Sequence, residues 1–357
     1  MTVVLSRRSF LAFSAGTYLG TFWCTSATAQ SKNLVAVEWG TYINTTQALS
    51  KKLSIADVKW ELHAGGAAAI LAKIKASWPR VNYDVVTAWS PVFLPMVQEG
   101  WVETLNPQEM PNLRDIPDQL FIKDSNGAIK AAPRVVNPQM WGYRTDLCPF
   151  KVIKMQDLLD PRLKGKVLFP GPVLNTGMQL VSIARALGGD ERNMEPAWDF
   201  VKKLAQSGNI GRVSASDSET FNSLSTGETC LGFATATGFM RLIDAKLPIT
   251  TLGKMPPESG FKAAIAMEGW AILKGGNVPT AKAWVNAMLA PDVNGDFAER
   301  TFAIPANSKA PISARLDPVR FGPADYAEHT YVPDYGYISG QLNSWTQRWE
   351  KEIAPLL

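Results

Sequence analysis

The chain has little cysteine and little histidine, which excludes protein classes that depend on them. Only three of its 357 residues are cysteine and only two are histidine. Beyond residue 30 only Cys148 and Cys230 remain, so the sequence offers no disulfide framework and no Cys-x-x-C motif. Whether these two cysteines pair with each other cannot be inferred from the sequence, because spacing along a chain does not fix distance in space.

Excess charge of either sign is also small. The chain has 36 Lys and Arg against 32 Asp and Glu, and no basic stripe runs along it. Two common enzyme motifs are missing as well, since there is no G-x-G-x-x-G after an apolar run and no G-x-S-x-G elbow. We therefore predict a protein that does not bind nucleic acid, is not an enzyme, and holds neither a cofactor nor a metal.

After residue 30 no apolar run is long enough to cross a membrane, and the first thirty residues have the order of a secretion signal. Residues 6–11 read Ser-Arg-Arg-Ser-Phe-Leu, a twin-arginine pattern, and residues 12–23 are modestly apolar. Residues 27–29 read Ala-Thr-Ala, a small-residue cleavage site. We predict export by the twin-arginine pathway, cleavage near Ala29 and a periplasmic location; a buried N-terminal helix is the alternative interpretation.

The rest of the chain alternates predicted strands with predicted helices. Apolar runs cover 33–39, 58–63, 83–89, 166–169 and 230–234, and a turn and a helical pattern follow each later run. Such alternation is typical of mostly parallel sheets with helices on both faces. About 327 residues are more than one core comfortably holds, so the sequence predicts an α/β fold in two lobes.

Distinctive side chains follow the predicted strands. In open α/β sheets, ligands bind beyond the carboxyl ends of the strands, where helix N-termini present free N–H groups. The residues at these positions are Trp39, Gly65, Trp89, Ser90, Thr176, Thr235 and Thr237. We predict that they border a ligand cleft between the two lobes.

Several motifs, taken in order, resemble one known family. Residues 83–86 read Tyr-Asp-Val-Val, and 99–105 contain a Gly followed by Glu-Thr-Leu. Residues 141–146 read Trp-Gly-Tyr-Arg-Thr-Asp, and 225–228 read Ser-Thr-Gly-Glu. The most specific run is 157–167, Asp-Leu-Leu-Asp-Pro-Arg-Leu-Lys-Gly-Lys-Val. Together they resemble the periplasmic solute-binding proteins of ABC importers, in the branch of the spermidine/putrescine-binding proteins.

This resemblance implies a two-lobed type II periplasmic-binding-protein fold. The first lobe would comprise residues 31–134 with 264–312, and the second would comprise 135–263 with 313–357. It also implies closure on a small-molecule ligand by a hinge, and docking of a monomer on an ABC permease in the inner membrane.

The resemblance further implies a set of ligand-binding side chains. Polyamine-binding relatives grip amines with carboxylates and sandwich them with aromatic rings. Glu268 falls at the acidic position of these relatives, and Trp270 would share its strand face. The aromatic candidates are Trp39, Tyr42, Trp89, Trp141 and Trp270. Core packing is the alternative for each Trp, and surface exposure is the alternative for Glu268.

Other positions depart from the polyamine pattern. Thr235 and Thr237 stand where polyamine binders carry a Trp. Arg134 lies at the predicted crossover between lobes, where it could bind a carboxylate or phosphonate, or form a surface salt bridge instead. Glu268 favours a cation and Arg134 an anion, so we predict an amine-bearing or zwitterionic solute. Three alternatives are a twin-arginine-exported redox enzyme, a ferric-iron-binding relative, and a periplasmic partner of a sensor.

Overall fold

A computed structural model describes residues 32–63 and 66–357 of the chain. The predicted signal segment and Gly65 lie outside the described residues. Within these ranges, no helix is both long and apolar enough to span a membrane.

The described residues form fourteen strands and eleven α-helices. The strands are β1 (Asn33–Glu38), β2 (Asp57–Leu62), β3 (Val85–Trp89), β4 (Ile122–Lys123), β5 (Ile129–Val136), β6 (Gln139–Arg144), β7 (Val167–Pro170), β8 (Ile210–Ser214), β9 (Leu231–Thr235), β10 (Ile249–Thr251), β11 (Ala263–Ala264), β12 (Met267–Ile272), β13 (Ile304–Pro305) and β14 (Thr330–Tyr331). The helices are α1 (Ile43–Leu53), α2 (Gly66–Ser77), α3 (Ser90–Gln98), α4 (Met178–Ala186), α5 (Glu195–Gln206), α6 (Asp217–Thr226), α7 (Ala236–Asp244), α8 (Val278–Met288), α9 (Pro291–Thr301), α10 (Pro323–His329) and α11 (Tyr335–Glu352).

The strands form two sheets of seven. The first has the order β13-β5-β12-β3-β1-β2 with β4 paired to β5, and the second has the order β14-β11-β6-β9-β7-β8 with β10 paired to β6. The chain passes from the first sheet to the second after β5, returns between β11 and β12, and leaves again after β13. The lobe boundaries given above stay a prediction.

The prediction of mostly parallel sheets is wrong, because both sheets are mixed. In the first sheet β1 pairs in parallel with β2 and β3, whereas β12 runs antiparallel to β3 and β5. The reason is the route of the chain: β12 enters the sheet at the edge where β3 ends, with Glu268 opposite Trp89. The strand that returns from the second sheet therefore points the other way.

Apolar clusters cover both faces of each sheet. In β1, Leu34 and Ala36 belong to one cluster and Val37 to the cluster on the opposite face. A strand that is covered on both sides reads as a continuous apolar run, which is why the sequence located these strands. The packed faces leave the carboxyl ends of β1 and β3 facing the second sheet.

Candidate ligand-binding site

A cavity of about 740 Å³ lies between the two sheets. Its size is within the range of sites that enclose small organic ligands. Predicted ligand residues that line it are Trp39, Tyr42, Trp89, Thr176, Thr235, Thr237 and Glu268. They come from loops and strand ends of both sheets, so tertiary structure brings together residues far apart in the chain.

Glu268 is a carboxylate with incomplete hydrogen bonding. Its Oε1 accepts a hydrogen bond of 3.1 Å from the Asn137 side chain, whereas its Oε2 is buried and has no hydrogen-bond partner. Burial raises the pKa of Glu268, and the nearby Arg134 guanidinium opposes that rise. A buried acceptor without a donor is costly unless a ligand supplies the donor.

Asn137 links the two halves of the cavity. It lies in the segment between β5 and β6, and its backbone N–H donates to the Ala266 carbonyl at 2.8 Å. Its side chain donates to Glu268 and accepts from the Thr237 backbone N–H at 3.2 Å. The sequence analysis missed this residue, although an Asn-Pro pair at the end of an apolar run was a visible signal of a turn.

Trp39 is held in place by two neighbours. Its ring stacks on His63 with centroids 3.8 Å apart and planes 11° apart. Its backbone N–H donates to Glu38 Oε1 at 2.7 Å. Burial lowers the pKa of His63, which favours the neutral imidazole in this stack.

Arg134 does not line the cavity, which corrects its predicted role as an anion ligand. Its guanidinium is fully buried and pairs with Glu38 through bonds of 2.6 and 3.0 Å. It also lies 4.4 Å from the ring centroid of Phe297. The charge of Arg134 is thus balanced by Glu38 within the core of the first sheet, and its buried guanidinium does not reach the cavity.

Three other predicted residues also lie away from the cavity. Trp270 is 1% exposed and packs edge-to-face on Trp284 in the core of the first sheet. Trp141 is buried in the second sheet's core, where it donates to Ser182. Ser90 lines a separate cavity of about 260 Å³.

Two charged residues of the cavity were missed by the sequence analysis. Asp217 begins α6, and Arg241 lies in α7 with its guanidinium 5.3 Å from the ring centroid of Phe221. The surrounding protein raises the pKa of Asp217, and Arg241 opposes this. The signal for Asp217 was the sequence Ser-Asp-Ser-Glu at 216–219, a helix start after a strand.

The loop before α4 adopts an unusual backbone at the cavity wall. Asn175 and Thr176 have φ angles of 56° and 53°, in the left-handed region that a β-branched residue rarely adopts. Both line the cavity. Strained backbone of this kind is concentrated at ligand-binding sites.

The described part of the chain contains no group of three or more His, Cys, Asp or Glu side chains placed to hold a metal ion. Glu268 and Asp217 are the only carboxylates on the described wall of the cavity, and Arg241 is its only Lys or Arg. The described wall therefore carries two acidic side chains and one basic side chain.

Residues 51–318 match the family model of bacterial extracellular solute-binding proteins. The chain belongs to this family. A comparison with curated protein sequences finds no match. Family membership confirms that the chain is a solute-binding protein rather than an enzyme, and it makes the cavity between the sheets the candidate solute site.

Solved structures share the fold of this solute-binding protein at low sequence identity. An ABC transporter protein of Clostridium perfringens is 20% identical with a TM-score of 0.71, and the match covers 90% of this chain and 99% of that one. The spermidine/putrescine-binding protein PotD of Streptococcus pneumoniae, in complex with calcium and HEPES, is 17% identical with a TM-score of 0.69 and coverages of 88% and 100%. AfuA of Actinobacillus pleuropneumoniae, with fructose 6-phosphate bound, is 19% identical with a TM-score of 0.69 and coverages of 90% and 99%.

These structures confirm the predicted two-lobed fold and the resemblance to the solute-binding proteins of ABC importers. Their bound molecules differ in charge and chemistry. The fold alone therefore leaves the solute of this protein open, and its identity must be argued from the cavity wall.

Proposed function

We propose that this protein captures a small amine-bearing or zwitterionic solute in the cavity and delivers it to an ABC permease. The observation that carries the proposal is the carboxylate of Glu268, which lines the cavity with its Oε2 unpartnered. An ammonium group would supply the missing donor and the opposite charge together.

Aromatic side chains support the same choice of solute. Trp39, Tyr42 and Trp89 line the cavity with Glu268. Their faces attract an organic cation and cover its apolar carbons, which lowers the cost of removing it from water. A strongly anionic solute gains nothing from these faces and is repelled by Glu268 and Asp217.

Arg241 extends the proposal from polyamine-like to zwitterionic solutes. No carboxylate within the described residues lies close enough to Arg241 to form a salt bridge in this structure, and its side chain lines the cavity wall. A solute with an ammonium at one end and a carboxylate at the other would use both Glu268 and Arg241. Arg241 would therefore bind the anionic group of the solute, which is the role that the sequence predicted for Arg134.

The partner and compartment follow from the family and the first thirty residues. An extracellular solute-binding protein with a twin-arginine pattern at 6–11 would act in the periplasm, as a monomer that presents its solute to an inner-membrane permease. We propose this location and route for the chain.

The test is a thermal-shift and calorimetry panel of putrescine, γ-aminobutyrate, glucose and glucose 6-phosphate, with mass spectrometry of any co-purified solute. We expect one of the two amines to bind, and Glu268→Gln to weaken it by roughly 10- to 150-fold, the value of a charged hydrogen bond. Arg241→Gln should weaken γ-aminobutyrate and leave putrescine unchanged.

The matched control is Glu258→Gln, since Glu258 is exposed and does not line the cavity. This variant should bind like the wild type. If only anions bind and Glu268→Gln binds them as well as the wild type, the proposed solute class is wrong.

A further inference from the structure

Cys148 and Cys230 lie near each other beside the second sheet, just after β6 and just before β9, and neither lines the cavity. The backbone N–H of Arg144 donates to the Cys230 carbonyl at 2.8 Å, and the N–H of Cys148 donates to the Arg144 carbonyl at 2.9 Å. The backbone of Arg144 is therefore hydrogen-bonded to the backbone of both cysteines. The two thiols are close enough for each to shift the pKa of the other.

The two thiols differ in exposure and in surroundings. Cys148 is partly exposed, whereas Cys230 is buried. The pKa of Cys148 is lowered to about 7, chiefly by its interaction with the Cys230 thiol and in part by the Arg162 guanidinium. Cys148 thus has the accessible, electropositive surroundings of a reactive thiol, and Cys230 is within reach behind it.

We propose that Cys148 and Cys230 form an intramolecular disulfide when the folded protein meets an oxidant outside the cytoplasm. The inference is independent of which solute occupies the cavity. It rests on the adjacency of the two thiols and on the family's extracellular location, where disulfides form and persist.

The reaction needs a disulfide-bearing oxidant, either a thiol oxidoreductase or glutathione disulfide. The Cys148 thiolate attacks one sulfur of the oxidant, which forms a mixed disulfide and expels the first thiol. Cys230 then loses its proton and attacks the Cys148 sulfur, which breaks the mixed disulfide and releases the second thiol. The two cysteines lose two electrons and two protons, and the oxidant is reduced to two thiols.

The bond would tie together the strand pair that carries part of the cavity wall. Tyr143 of β6 pairs with Leu231 of β9 near the cysteines, and Gln139 pairs with Thr235 at the other end, where both line the cavity. A crosslink at one end would stabilise this pair without entering the ligand site.

The test uses the purified full chain with Cys24→Ser, so that only the two cysteines react. The reduced protein is incubated with glutathione disulfide, alkylated with maleimide and weighed by intact mass spectrometry. We expect the loss of two hydrogens, no maleimide uptake, and a peptide crosslink between residues 148 and 230. The midpoint temperature of thermal unfolding should rise by roughly 5–10 °C on oxidation and return to its original value on reduction.

Single variants separate the two steps. Cys230→Ala should stop at a glutathione adduct on Cys148, and Cys148→Ala should react much more slowly. If the protein with both cysteines takes up two maleimides after oxidation, or keeps a stable glutathione adduct, the thiols do not pair and the proposal is overturned.

Discussion

At the scale of one residue, Glu268 lines the cavity in an arrangement that is unfavourable for stability. Its carboxylate is enclosed by protein, its Oε2 has no donor, and burial raises its pKa. In the native state it therefore holds its proton more tightly than in the unfolded chain. The stability from this protonation is fully present below the ordinary pKa of about 4.5 and is lost as pH rises through the raised pKa.

We therefore expect Glu268→Gln to stabilise the ligand-free protein at neutral pH, because glutamine has no charge to bury. The gain over the wild type should be smallest near pH 4 and should grow as pH rises. Urea unfolding between about pH 4 and pH 8 measures it, with Glu258→Gln as the control. A gain that is independent of pH would mean that charge burial is not its cause.

Glu38 and Arg134 form a buried ion pair beneath the cavity, and both side chains are fully shielded from water. Replacing Glu38 with Gln leaves the Arg134 charge unbalanced in the core and weakens the bond to the backbone of Trp39. We expect a loss of about 3–5 kcal/mol in the free energy of unfolding, measured by urea titration. Glu195→Gln, which breaks an exposed pair with Arg348, should cost less than about 1 kcal/mol.

At the scale of the element, a β-bulge lies where β5 pairs with β12, because Arg134 is an extra residue of β5 opposite the step from Glu268 to Gly269. Gly269 follows Glu268 at the bulge, and a Cβ there would overlap the Ala132 carbonyl and lie 2.7 Å from the Pro133 Cα. Only glycine lets β12 pass this close to β5. In this part of β12, Glu268 lines the cavity and Trp270 packs in the core.

Gly269→Ala should therefore push β12 away from β5 and cost about 1–3 kcal/mol of stability, as overpacking does. Because Glu268 directly precedes Gly269, the same displacement of β12 should move its carboxylate and lower the affinity for the amine. Calorimetry and urea unfolding measure the two effects. Gly340→Ala in α11 is the matched control, since nothing lies within 4 Å of its added Cβ, and it should stabilise by about 0.5–1 kcal/mol. If the two variants had the same free energy of unfolding and the same amine affinity, close packing at Gly269 would not be important.

At the scale of the whole molecule, the two sheets are joined by short segments that also touch the ligand site. Asn137 and Ala266 lie in two of these segments, are hydrogen-bonded to each other, and line the cavity. A solute bound there contacts both sheets and the segments between them. Its binding energy can therefore favour a more closed arrangement of the lobes.

We expect small-angle scattering to detect this closure as a decrease from a radius of gyration of roughly 20 Å when the tightest-binding amine of the panel is added. Glu268→Gln should not contract at the same amine concentration, because it binds too weakly to shift the population. An unchanged radius in wild type at saturation would contradict hinge closure.

The sequence by itself determined the order of the elements and the position of several side chains at strand ends. The runs at 33–39 and 83–89 became β1 and β3, because a strand covered on both faces is apolar through most of its length. The run at 58–63 became β2, an edge strand whose residues are all at least partly exposed. The motif at 157–167 lies within the part of the chain that matches the family model. Its resemblance to that family made the fold predictable from the sequence. Trp39 and Trp89 were named as candidates because they stand at the ends of predicted strands, and Glu268 because the family resemblance implies an acid at its position.

Only the tertiary structure decided which charged side chains line the cavity. Arg134 is withdrawn from the cavity by Glu38, which lies 96 residues earlier in the chain, and Arg241 reaches the wall from a helix of the other sheet. Trp270 packs in the core against Trp284 of α8. The exposure of a side chain depends on partners that are distant in sequence. Local sequence patterns therefore identify candidate ligand-binding residues, and long-range packing determines which of them line the cavity.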